Sequence, residues 1–144
     1  MTVDQRVKAS SEPSHSEYLF AYGTLQPHLA PAEVADLVRS LENPGKGTIA
    51  GTLYDFGSYP GVVLGRLGGR RVVGTVFRLP KDSRILRKLD GYEEFDCESL
   101  DTSQFIRRLC PVQLADGRVL ECWIYEYNRS VDNAPILESG IYIR

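Results

Sequence analysis

A chain of 144 residues, 42% hydrophobic and 25% charged, has the length and make-up of one globular domain with a real core and room for one pocket. Its 17 basic and 19 acidic residues give a net charge of -2, which lacks the basic excess that a phosphate backbone attracts and excludes nucleic acid as the main partner. Three cysteines without a CxxC pair suggest neither a disulfide framework nor a zinc site, and no signal-peptide core or run of 18 apolar residues is present, so a cytoplasmic protein with reduced thiols, away from membranes, is expected.

Residues 1–16 are polar and Ser-rich and read as a disordered leader, with a single domain expected over residues 17–144. That domain opens with YLFAYGTL, Tyr18–Leu25, an apolar run that stops at a glycine and a hydroxyl residue. Such a run predicts a strand buried on both faces that feeds a tight turn. Gly23 permits a positive φ and the close approach of another molecule to the main chain, and the N–H groups of Gly23, Thr24 and Leu25 can converge on a space suited to an anionic or carbonyl oxygen. After a loop over Gln26–Ala30, Pro31 suits a first helical turn, and Val34, Leu37, Val38 and Leu41 fall on one helical face. Asn43-Pro44-Gly45 is read as the stop of that helix.

From Gly47 the period approaches two, predicting a strand over Thr48–Asp55. Gly57–Gly61 forms a turn-rich connection into a short apolar strand. Leu67-Gly68-Gly69-Arg70 then predicts a hairpin whose returning strand is Arg71–Leu79, with Gly74 marking a bulge or a close backbone approach. Lys81–Tyr92 reads as a helix with Ile85, Leu86 and Leu89 on one side, capped by Asp82 or Ser83 and ending near Gly91. Phe105–Leu114 and Arg118–Tyr127 read as strands joined by a two-residue turn at Asp116-Gly117. The second is apolar on both faces, as in a central strand or a closed barrel. Ile136, Leu137, Ile141 and Ile143 suggest a docked tail. The sum is an α+β fold, a small mixed β-sheet curled into a barrel with about two helices.

The glycines form neither a P-loop nor a dinucleotide fingerprint, and His15 and His28 stand apart, so little material exists for a metal site or a Ser-His pair. Carboxylates remain. Leu89-Asp90-Gly91-Tyr92-Glu93-Glu94 sets Glu93 just past a helix C-terminus and beside an aromatic ring. The partly negative helix end and apolar burial both disfavour the charged form and raise its pKa. A solvated loop is the alternative reading of the same segment.

YGTL at Tyr22–Leu25 followed by LDGYE at Leu89–Glu93 resembles the gamma-glutamyl cyclotransferase-like family. SYPG at Ser58–Gly61, the FIRR segment with Phe105 and Arg107, and the CWIYEY strand with Tyr125 match that family's order of motifs. In many members a glycine follows the catalytic Glu, where this chain has Glu94. The resemblance implies a barrel-like fold with a pocket between the YGTL loop and the Glu, and cleavage of a γ-glutamyl group from its amine by cyclisation to pyroglutamate. It implies Glu93 as general acid/base and no cofactor. Substrate binding falls to Gly23, Thr24 and Leu25, whose amides hold the α-carboxylate or the oxyanion, to Tyr22, Tyr59 and Tyr125, and to Arg107 as a carboxylate partner. The expected partner is a small γ-glutamyl substrate and the expected state a monomer. The alternative is a domain of the same fold that binds a small metabolite or a protein without turnover.

Overall fold

The computed structural model describes residues 17–23, 42–65, 69–80, 83–96 and 98–142. The expected leader, the loop and helix between Thr24 and Leu41, Leu67 and Gly68, Lys81 and Asp82, the Ser83 side chain, Cys97 and Ile143 lie outside the described residues. Within them run β1 (Tyr18–Ala21), β2 (Glu42–Asp55), β3 (Pro60–Leu64), β4 (Arg71–Arg78), α1 (Ser83–Tyr92), β5 (Phe105–Leu114) and β6 (Val119–Tyr127), with a 3-10 turn at Leu100–Thr102.

The strand order is β3-β2-β4-β1-β6-β5, and β2 also pairs with β5 through Gly47 opposite Leu114 and Thr48 opposite Gln113. Five strands therefore close into a mixed barrel, and β3 extends the far half of β2. Only β1 and β6 run parallel among these ladders, meeting at Leu19 and Trp123.

Three local expectations change in the folded chain. Asn43-Pro44-Gly45 does not precede a strand but lies within one: β2 starts at Glu42, and its register against β4 slips between Glu42 and Gly45. Gly45 takes φ 138°, so the residue expected to end a helix instead accommodates a bulge. The hairpin between β3 and β4 does not form either. Both strands pair with β2, at Pro60–Leu64 and at Arg71–Arg78, on its two opposite edges. The glycine-rich link thus carries the chain from one edge of β2 to the other. Finally, the β5–β6 turn takes one residue more than the Asp-Gly signal implies. Leu114 N–H donates to Arg118 O at 2.8 Å, Gly117 N–H donates to Leu114 O at 3.0 Å, and Gly117 absorbs φ 95°. Gly74 does mark a close approach, since a Cβ there would fall 2.4 Å from the Ala21 carbonyl oxygen.

Alternation along the strands builds two apolar layers. Phe20, Ile49, Leu53, Val62, Val72, Val76, Val112 and Ile124 fill the barrel. Leu19, Ala21, Phe77, Phe105, Trp123 and Tyr125 face outward and are covered by Leu86 and Leu89 of α1. β1 is buried on both faces because it contributes to both layers. The tail docks through Leu137 N–H to Leu53 O at 2.8 Å and through Tyr142, which is buried, whereas Ile136 and Ile141 stay largely exposed. No helix among the described residues is long and apolar enough to cross a membrane.

Candidate active site

α1 ends in a glycine-type cap built without glycine. Glu94 N–H donates to Gly91 O at 3.2 Å and Phe95 N–H donates to Asp90 O at 2.9 Å, the paired bonds of a Schellman motif. Glu94 occupies the left-handed position of that motif, with φ 56°. Glu93 is the C-cap residue itself. Its carboxyl is delivered to the place where the helix stops and the chain turns over the barrel end.

There a cavity of about 370 Å³ opens between the end of β1, the Ser58-Tyr59-Pro60 turn, the α1 cap and the start of β5. Tyr22, Gly23, Tyr59, Glu93, Glu94, Phe105 and Tyr125 contribute to its walls. Burial is the main reason the Glu93 carboxyl is pushed up to about 8, and the neighbouring charge of Glu94 adds to it. A carboxyl in that range exchanges protons near neutrality.

Gly23 serves a different purpose from the one its sequence context suggests. It takes no positive φ. A Cβ on it would lie 2.7 Å from Cγ of Pro60, so the glycine lets the β1 turn and the YPG turn close on each other. Tyr22 ties the same two segments to β6: its hydroxyl donates to Tyr125 O at 2.6 Å and accepts from Val62 N–H at 3.2 Å. Burial, then the Glu93 charge, raise the Tyr22 pKa well above the ordinary phenol value, so the hydroxyl keeps its proton and both bonds.

One flank of the cavity is aromatic. Tyr59 and Phe105 have ring centroids 6.3 Å apart and Phe105 stands edge-on to Tyr127 at 5.4 Å, with Phe56 tilted against Tyr127 at 4.3 Å. The Tyr125 hydroxyl donates to Asp90 Oδ1 at 2.7 Å. Burial and then Asp90 raise the Tyr125 pKa, which keeps that donor protonated. Burial pushes the Asp90 carboxyl up as well, against the pull of Tyr125 and Arg107.

Of the residues proposed from sequence, Tyr22, Gly23, Tyr59, Glu93 and Tyr125 are brought together around one cavity. Thr24 and Leu25 lie outside the described residues. Arg107 is not among the lining residues: its Nη1 is 3.2 Å from Asp90 Oδ2, and its guanidinium sits 4.6 Å over the Trp123 ring. The reason is that Arg107 leaves β5 on the face that α1 covers, where the half-buried Asp90 carboxylate meets it first. Asp90, Phe105 and Gln104 were missed as parts of the site and its surround. Asp90 was legible in principle, being one helical turn before Glu93. Among the described residues no cluster of His, Cys, Asp and Glu is arranged to hold a metal ion.

A closed mixed barrel with a capped helix delivering one carboxyl over its end defines the class of fold, and the comparisons identify its family. The model of the family "Gamma-glutamyl cyclotransferase, AIG2-like" matches residues 19–144, and the chain belongs to that family. The crystal structure of an AIG2-like protein from Mus musculus superposes with a TM-score of 0.68 at 23% identity, covering 90% of this chain and 89% of that one. Protein ytfP from Escherichia coli gives 0.62 at 26% identity, over 88% of this chain and 96% of that one. A structure named gamma-glutamyl cyclotransferase gives 0.56 at 16% identity, over 85% and 70%. No curated protein matches the chain in sequence.

Proposed function

We propose that the chain is a cyclotransferase that releases pyroglutamate and a free amine from a γ-glutamyl amine or γ-glutamyl amino acid. The observation that carries this reading is the Glu93 carboxyl, fixed at a helix cap in a cavity of about 370 Å³ and tuned to about 8. Membership of the cyclotransferase family supports it.

In this mechanism the Glu93 carboxylate takes a proton from the substrate α-ammonium. The freed amine attacks the γ-carbonyl carbon of the same molecule, forming the ring C–N bond. The tetrahedral intermediate collapses by breaking the original amide C–N bond as Glu93 returns the proton to the departing nitrogen, and the second proton shed by the ring nitrogen goes to the same amine, which leaves as its ammonium form. Nucleophile and electrophile share one molecule, so holding the bent conformer is worth roughly 7–11 kcal/mol in well-oriented cases. Tyr59, Phe105, Tyr22 and Tyr125 shape the space for it, and Gly23, which brings an amide, lines the same cavity. With Thr24 and Leu25 that amide holds the α-carboxylate or the developing oxyanion, worth on the order of 3 kcal/mol per donor in the latter case. The chemistry asks for no cofactor. Free, buried Cys110 and Cys122 support a cytoplasmic setting.

The test is pyroglutamate release from γ-glutamyl amino acids, γ-glutamyl-ε-lysine and glutathione, beside a folded Glu93→Gln variant. Release that the variant lowers by roughly 10²–10⁴-fold establishes the reaction and names the amine class. No release by folded wild type from any of them counts against the reading and favours binding without turnover.

A further inference from the structure

The carboxyl of Asp90 is held from two strands at once. Arg107 on β5 and Tyr125 on β6 stand opposite each other in the ladder, and one presents Nη1 at 3.2 Å to Oδ2 while the other donates its hydroxyl at 2.7 Å to Oδ1. The guanidinium is itself fixed, 4.6 Å over the Trp123 ring and 5.6 Å from the Phe95 ring. Asp90 is also tied through its backbone, since its carbonyl accepts the Phe95 N–H of the cap. Glu93 lies between these two anchors. Neither Asp90 nor Arg107 lines the cavity, so neither meets a substrate there.

We propose that Asp90 is the positioning residue for Glu93: the grip of Arg107 and Tyr125 on its carboxylate fixes the last turn of α1 and keeps the Glu93 carboxyl inside the cavity, away from bulk water. The proposal rests on the reading of Glu93 as the acid/base of the reaction. A partly buried ion pair adds little net stability, yet it specifies one geometry because each partner is costly to leave alone. Here the geometry specified is the height and rotation of a helix end that carries the reactive group.

The groups facing Glu93 define what a titration reports. Glu94 stands beside it on the cap, Tyr22 at the end of β1, Tyr125 on β6, and Tyr59 and Tyr92 on the surrounding walls. Glu126 of β6 acts on Tyr22, and the Asp90–Arg107 pair lies behind Tyr125. Removing Asp90's negative charge or Arg107's positive charge shifts Glu93 in opposite directions by direct Coulomb action. Loosening the helix end lets water reach the carboxyl and shifts it downward in both cases.

The experiment is the titration of the Glu93 carboxyl by ¹³C NMR, with kcat and KM for pyroglutamate release across pH, in wild type, Asp90→Asn and Arg107→Met. Expected for both variants are a fall in kcat of roughly ten- to a hundredfold with a smaller change in KM. Both midpoints should also drop below the wild-type value of about 8. Opposite midpoint shifts overturn the proposal, as does a loss of activity that tracks thermal stability with the midpoint unmoved. If Asp90→Asn does not fold, Tyr125→Phe removes only the donated hydroxyl and is held to the same downward shift. Wild type without turnover would sink the catalytic reading alone, because the carboxyl titration still decides the positioning.

Discussion

The barrel interior and the seam under α1 are built from the same strands and behave as opposites. Along β6, Cys122 and Ile124 point inward among aliphatic side chains, while Trp123 and Tyr125 point outward into a layer that also holds Asp90 and Arg107. The interior carries few groups able to exchange a proton or an ion partner, and its content is packing. The seam mixes rings, an ion pair and hydroxyls, and its outer boundary is a helix end rather than a strand. Chemistry gathers where an element can be aimed, and rigidity comes from the closed layer behind it.

The difference is broken most directly by cavities of similar size on the two sides. Ile49→Ala inside the barrel and Leu89→Ala on α1 both empty fully buried positions and should each cost about 2–5 kcal/mol in denaturant unfolding. Their effects on turnover should part. Ile49→Ala leaves kcat per folded molecule near wild type, whereas Leu89→Ala loosens the helix that carries Glu93 and lowers it. Equal kcat losses would mean that the seam has no special role.

Glu93 itself sharpens the contrast through pH. Its folded pKa lies above its unfolded value, so the folded state holds the proton more tightly. The stabilisation from the protonated form is therefore complete below about 4.5, the ordinary carboxyl value, and is lost as pH rises through about 8. Glu93→Gln removes this dependence. Thermal unfolding should show the variant on the order of 2 kcal/mol more stable than wild type at pH 9 and little changed at pH 4.5, after allowance for partial solvent contact. A gain that is the same at both pH values would show that the carboxyl is not shifted.

Tyr22 belongs to both regions, since its ring packs in the barrel while its hydroxyl joins β6 to β3. Tyr22→Phe leaves the buried Val62 N–H without that acceptor and should cost about 1–3 kcal/mol. A cost below that range would show that the ring and not the hydroxyl holds the barrel end.

Much of this was legible from residue pattern. Period-two alternation located the strands, and YLFA was readable as a strand buried on both faces because no polar residue interrupts it. What failed was partnership. Pro-Gly at Pro44-Gly45 and Gly-Gly at Gly68-Gly69 announce a change of direction but not which strand is met next, and β2 receives strands on both edges. The site followed the same rule. Glu93 and Tyr22 could be named because local context and resemblance single them out. Arg107 was assigned to a substrate carboxylate because the sequence does not show that Asp90 comes within 3.2 Å of it. A charged partner far away in sequence is a product of topology.

The smallest effect expected concerns the cap at which the two regions meet. Glu94 holds φ 56°, a conformation that costs an L-residue roughly 1–2 kcal/mol and a glycine almost nothing. Its charge also helps to raise the Glu93 pKa. Glu94→Gly removes strain and charge together, whereas Glu94→Gln removes the charge and keeps the strain. The glycine variant should gain about 0.5–1 kcal/mol, a Tm rise of roughly 2–4 °C, because the added freedom of the unfolded glycine offsets part of the relief. Both variants should lower the pH at which Glu93 ionises, and only the glycine variant should unfold later. That outcome would mean that this chain accepts a strained helix cap to keep a second carboxylate beside Glu93; a glycine variant no more stable than wild type would mean that the cap is relaxed as it stands.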